Sequence, residues 1–138
     1  MAEKPLPNIN GDNREFWAGC RAHQLKFQKC EKCGHVRAPG SLICPVCHSM
    51  NADWILSPGN GKIYTFIVYR VAFHPAFADD VPYVVAVVKL EEGPHLLSNI
   101  VGCLPEEVAC EMPVEVVWKD INQNVSLPVF RPAKGLTP

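Results

Sequence analysis

The sequence predicts a mainly β protein in three parts: an N-terminal helix, a metal-stapled ribbon and a C-terminal five-stranded barrel. Three observations predict it. Two C-x-x-C pairs, Cys30/Cys33 and Cys44/Cys47, lie ten residues apart. The breaker cluster Ser57-Pro58-Gly59-Asn60-Gly61 follows them. Beyond it the chain changes to segments rich in β-branched and aromatic residues, with a longer excursion between the third and fourth. The expected division is an arm and helix over 1–26, the ribbon over 27–56, and the barrel with its tail over 57–138. A chain of 138 residues is near the usual size for one domain, or for one small core plus a stapled module.

The cysteine spacing carries the chemistry. Two knuckles, each setting two thiolates on a tight turn, can surround one tetrahedral ion, and Gly34 supplies permissive backbone after the first pair while Pro45 stiffens the second. Four sulfur donors select zinc or iron. They leave no open position for substrate, so the expected role of the Zn2+ is structural. Disulfides compete with this reading, but the odd count of seven cysteines, the tight pairing and the lack of a hydrophobic signal segment favour reduced thiols in a cytoplasmic protein. Iron in a redox carrier also competes; the short gap between the pairs weighs against it. Cys20, Cys103 and Cys110 fall outside the pattern and read as small buried hydrophobes. His35 and His48 adjoin the knuckles, and with four cysteines present they are expected beside the ligands or facing solvent.

Residues 1–11 are rich in Pro and Asn and read as an arm without fixed structure of its own. Asp12 with Glu15 suggests a capping box, and Phe16, Cys20, His23 and Phe27 recur at helical spacing, predicting a helix over 13–26. Its apolar stripe, flanked by Trp17, must cover either its own domain or a partner. Charge divides unevenly: seven Lys/Arg against five Asp/Glu up to Leu56, and five against nine from Ser57 to Pro132. Arg21, Lys26, Lys29, Lys32 and Arg37 gather around the ribbon, either as solvated surface or as an anion-facing rim.

The first strand is predicted over 62–71, with Ile63, Thr65, Ile67, Tyr69 and Val71 on one face and Tyr64, Phe66 and Val68 on the other. Residues 82–90 and 95–101 are two more, joined by a hairpin turn at Glu91-Glu92-Gly93-Pro94. Residues 113–119 alternate Val114, Val116 and Trp118 against Glu115, Val117 and Lys119, and 127–131 make a short fifth strand. Between the third and fourth, 104–112 suits one helical turn at Glu106 and Glu107. Five strands in this order match an OB-fold barrel. The first two are apolar on both faces, which predicts cover outside the barrel as well as inside. The longest apolar run, 84–88, is broken by Lys89 and too short to span a membrane, so no membrane association is expected.

Several short motifs occur together in order: Phe16-Trp17, Cys30-x-x-Cys33-Gly34, Pro39, Cys44-Pro45-x-Cys47, Gly59-x-Gly61-x-Ile63-Tyr64-Thr65, Pro82-Tyr83-Val84-Val85-Ala86, Val88-x-Leu90, Glu92-Gly93, Met112-Pro113-Val114-Glu115-Val116 and Pro128-x-Phe130-Arg131-Pro132. On these the chain, over nearly its whole length, resembles the zinc-ribbon plus OB-fold family of acyl-CoA-associated proteins, small subunits of thiolase-like enzymes. The resemblance implies a helical N-terminal segment, a rubredoxin-like ribbon and a C-terminal barrel. It implies a role as the small subunit of a thiolase, an acyl-CoA ligase-like enzyme or a retro-aldolase, in a hetero-oligomer with a thiolase-fold catalytic subunit, with a coenzyme A thioester of a bulky acyl chain as the shared ligand. An aryl-succinyl-type thiolase of aromatic degradation and a steroid or fatty-acyl counterpart both remain open.

Coenzyme A has an anionic nucleotide end and a partly apolar arm, so a module serving it needs basic groups at a channel mouth and apolar walls within. Arg21, Lys32 and Arg37 are the candidates for the first; Phe16, Trp17, Phe73, His74 and Phe77, with Tyr83, are candidates for wall or partner contact. The loop 73–80 stands out because two phenylalanines and a histidine lie between strands without a core period. No catalytic residue is expected in this chain, since no spare cysteine and histidine share a recognisable context. A nucleic-acid module competes, but its barrel would need a basic groove and this one is acidic, so no nucleic-acid partner is expected.

Overall fold

Alternating apolar residues and well-placed turns give eight strands, seen in a computed structural model that describes residues 13–38, 43–71 and 75–133, with the side chain of Phe77 excepted. The arm over 1–11 and Asp12 of the expected capping box lie outside these residues. The first helix, α1, runs Arg14–Arg21, shorter than the predicted 13–26. Its end is set at Gly19, where the chain doubles back: the Gln24 N–H donates to the Gly19 carbonyl at 2.8 Å. A Cβ at Gly19 would meet the Gln24 carbonyl oxygen at 2.9 Å. His23 completes the reversal with φ 59. Of the predicted helical stripe, only Phe16 and Cys20 therefore lie on the helix. His23 is in the turn and Phe27 in a strand.

The ribbon strands are β1 Leu25–Cys30, β2 Val36–Arg37 and β3 Ala52–Ser57, in the order β2-β1-β3. The barrel strands are β4 Asn60–Tyr69, β5 Tyr83–Leu90, β6 His95–Ile100, β7 Pro113–Asp120 and β8 Ser126–Pro132. They close in the order β4-β5-β6-β8-β7. The pairs Gly61↔Val114 and Lys62↔Pro113 join the last strand to the first, and a parallel pair, Ile100↔Phe130, joins β6 to β8. This is the five-stranded barrel that the strand order predicts. The hairpin turn is in place, with the Gly93 N–H donating to the Leu90 carbonyl at 2.9 Å. The excursion holds one turn of 3₁₀ helix, Pro105–Glu107.

One face assignment is corrected. The β4–β5 register slips between Ile63 and Thr65, so Tyr64 is an extra, bulged residue. A one-residue bulge exchanges the two faces from that point on. Gly61 and Ile63 point inward before it, and after it Phe66 and Val68 pack against the core, while Thr65 and Ile67 face out. The sequence pattern assumed unbroken alternation and put Ile63 and Ile67 together.

Ile63, Val88, Leu90, Val114 and Phe130 fill the barrel, and their cluster continues through Phe27, Leu25, Cys20 and Phe16 of the ribbon and helix. The helix stripe thus covers the chain's own core, packing on β1 and β8. Ser57 bridges the two parts: its hydroxyl donates to Glu92 of the β5–β6 turn and accepts from the Gly59 N–H. Cover outside the barrel, expected from the two-faced apolar strands, is not supplied by the described residues of this chain: Ile67 and Leu97 are 54% and 71% exposed. Among the described residues no helix is long and apolar enough to cross a membrane.

Candidate metal centre

The two knuckles are built alike. In the first, the Cys30 N–H donates to the His35 carbonyl at 2.8 Å and the Gly34 N–H returns to the Cys30 carbonyl at 3.0 Å. In the second, Cys44 donates to Ser49 and His48 returns to Cys44, both at 2.9 Å. Gly34 and His48 therefore occupy the same position of the two turns, and both are left-handed, with φ 80 and 66. Glycine takes this conformation freely and histidine at a cost. His48 is on the turn because the backbone passes through it, and its side chain is exposed.

The knuckles bring the four sulfurs of Cys30, Cys33, Cys44 and Cys47 within 4.8 Å of one another. The Cys30–Cys47 and Cys33–Cys44 sulfurs are 3.4 and 3.5 Å apart. A tetrahedron with Zn–S bonds of about 2.3 Å has edges of roughly 3.8 Å, whereas a disulfide needs about 2.05 Å. The donor set and its spacing fit zinc. The backbone prepares it: the N–H of Cys33, then that of Lys32 and the thiols of Cys47 and Cys33, outweigh desolvation and hold the Cys30 thiol down at about 6. The Cys47 and Val46 N–H groups do the same for Cys44, which is also lowered. Cys33 receives the His35 N–H, yet desolvation and the three neighbouring sulfurs push it up to about 12. A bound cation would favour the thiolate at all four sulfurs.

Of the three spare cysteines expected to be buried, only Cys20 is; Cys103 is half-buried and Cys110 exposed. Burial pushes the Cys20 thiol up to about 12, and it is wholly buried. Burial, then Glu107, raises Cys103. Neither is an activated thiol.

Two expected contact residues are buried in this chain: Phe16 and Arg37 are each 4% exposed, Phe16 because the helix turns it into the core. Trp17 is half-buried, edge-on to Phe16 at 5.1 Å. Arg21 and Lys32 are exposed. Lys26 of the supposed basic rim is paired with Glu15 at 3.0 Å. Phe73 and His74 lie outside the described residues, as does the side chain of Phe77. Sequence reasoning missed one constellation: His23 Nε2 meets Asp120 Oδ1 at 2.8 Å, the Ser126 hydroxyl donates to the same oxygen at 2.7 Å, and the His23 ring stacks on Trp118 at 5.4 Å. Ninety-seven residues separate His23 from Asp120, and no local pattern signals the pair.

A tetrathiolate ribbon joined through a shared core to a closed five-stranded barrel defines a zinc-ribbon/OB-fold protein. Residues 17–51 match the family model described as the ChsH2 rubredoxin-like zinc ribbon domain, and residues 54–119 match that of the ChsH2 C-terminal OB-fold domain. The chain belongs to this ChsH2 (DUF35) family. It is 39% identical over 132 residues to a probable enoyl-CoA hydratase alpha subunit of Thermomonospora curvata, covering 96% of this chain and 41% of that protein. It is 32% identical over 114 residues to the 3-oxo-4,17-pregnadiene-20-carboxyl-CoA hydratase alpha subunit of Mycobacterium tuberculosis, covering 83% and 36%. The chain thus spans less than half the length of these two relatives. Its structure is similar to a chain of the Ltp2-ChsH2(DUF35) aldolase, with TM-score 0.83 and 38% identity over 92% of this chain and 98% of that one.

Proposed function

We propose that this chain is the zinc-stapled, non-catalytic subunit of a complex whose thiolase-fold partner acts on bulky acyl-CoA thioesters. The observation that carries the reading is the outer face of β4–β5–β6, where the described residues leave Ile67 and Leu97 54% and 71% exposed. Across it, Ile67 stands opposite half-buried Val85, and Leu97 opposite half-buried Val87. A soluble domain that leaves a contiguous apolar sheet face open does so for a partner. The names of the relatives support the rest: they are subunits of hydratases and part of an aldolase, and one takes a steroid-sized acyl-CoA. That relative favours a steroid-like substrate over an aryl-succinyl one.

In this reading the four cysteines hold a closed zinc site, which supplies folding energy to the ribbon and no open coordination position. The barrel then presents its apolar face on a rigid support, and substrate contacts on this side come from the exposed surface rather than from Phe16 or Arg37. Co-expression with any thiolase-like chain that the host encodes nearby tests it. The pair should co-purify and release CoA from its thioester, and Leu97→Asp should abolish co-purification while leaving zinc content and the folded spectrum intact. Normal assembly of the Leu97→Asp chain, or thioester turnover by the isolated subunit, would sink the proposal.

A further inference from the structure

Three strands of the barrel bring basic side chains into one row. Lys62 on β4 is directly opposite Lys89 on β5, and Lys89 is directly opposite His95 on β6. All three are exposed. Lysines facing each other across a strand pair repel, which is a local cost with no return in packing. It falls in a segment that has only five Lys/Arg in all. Among the described residues neither lysine side chain makes a hydrogen bond or ion pair. The β4 bulge adds an aromatic group to the row: Tyr64, 56% exposed, lies with its ring 4.9 Å from that of His95.

Lys62, Lys89 and Tyr64 line a cleft of about 720 Å³ at the seam where β4 meets β5 and β7. The same cleft is lined by Glu91, Glu111 and Glu115. Glu115 is engaged by Arg131 at 3.1 Å. Two cations, an aromatic face and free acceptors in one concavity do not suit a simple anion, which the carboxylates would repel. They suit a ligand that carries phosphate at one end and hydrogen-bond donors at the other. A nucleotide has this chemistry: lysines take its phosphates as point charges, a base stacks on an aromatic ring, and carboxylates accept from ribose hydroxyls or a base amine.

We propose that the cleft at the β4–β5–β7 seam binds the phosphorylated nucleoside end of a nucleotide-bearing ligand, with Lys62 and Lys89 on the phosphate and Tyr64 against the base. The proposal deepens the acyl-CoA reading, on which it rests for the ligand's identity, and moves the anion-binding group from the ribbon to the barrel. The site borders the apolar face of β4–β5–β6, so a ligand shared with a partner would have its nucleotide end at the edge of the interface.

The test uses the full zinc-loaded chain titrated with ADP, adenosine and inorganic phosphate at low salt, followed by calorimetry and by the ring-proton NMR signals of His95 and Tyr64. ADP should bind saturably at one site and move both rings. Lys62→Ala and Lys89→Ala should each weaken it by about tenfold or more, with melting temperatures unchanged or raised because a repulsion is removed. Tyr64→Leu should weaken ADP and leave inorganic phosphate unaffected. Absence of saturable ADP binding, indifference to both lysine variants, or inorganic phosphate binding as tightly as ADP would overturn the site. The two readings fail separately: partner co-purification with no ADP response removes this site alone, and ADP binding by a chain that assembles with no partner removes the subunit role alone.

Discussion

Cys44 and His48 show how one turn assigns different work to its residues. Cys44 gives a sulfur to the cluster, whereas His48 is held at φ 66 where its counterpart in the other knuckle is glycine. Cys44→Ser should therefore lower the bound zinc per chain, measured by metal analysis, and destabilise the ribbon. His48→Gly should keep one zinc per chain and melt at the same or a higher temperature, because it relieves a left-handed side chain. Loss of metal in His48→Gly would make the histidine a ligand. Gly59 is a second constrained position, with φ +80 and Val116 Cγ1 2.2 Å from where a Cβ would stand. Its carbonyl accepts the Val116 N–H at 2.9 Å. Gly59→Ala should cost more than about 1 kcal/mol and lower the melting temperature by several degrees. At this scale the metal residues were legible because C-x-x-C spacing is itself the geometry. The burial of Phe16 and Arg37 was not, because side-chain direction depends on where a neighbouring element ends.

Among the elements, the turn that follows α1 is attached to the barrel by the contact of His23 with Asp120. The His23 hydrogen bond, and after it the Ser126 hydroxyl, holds the Asp120 carboxyl below its ordinary value of 3.8. A carboxyl depressed in the folded state gives stability that is full above its unfolded value and is lost as the pH falls through the folded one. Asp120→Asn should accordingly melt below the parent chain at neutral pH, and the gap should close in acid well below pH 3.8. A gap independent of pH would mean that the carboxylate charge plays no part. The strands were legible from composition and turns, and the five barrel segments form where they were expected to within two residues. The inward face of β4 beyond Tyr64 was not. A bulge adds one residue to a strand without a sequence signature, and everything after it changes sides.

Across the whole molecule, ribbon, helix and barrel share one apolar cluster running from Phe16 to Phe130. A ribbon that folds only around its metal would leave part of this cluster exposed when the metal is removed. Chelation should then lower the melting temperature of the entire chain in a single transition, seen alike by far-ultraviolet dichroism and by Trp118 fluorescence. Two separate transitions, with the barrel signal unchanged by chelator, would show that the core is divided.

The sequence by itself determined the four-sulfur ligand set, the five barrel strands and their turns, and the family, because these rest on spacing along the chain. Tertiary structure decided which basic residues form a row, which aromatics are covered, and which face stays open. Cross-strand register, one bulge and one shortened helix place side chains from distant segments together, and none of these is encoded within a window of neighbouring residues.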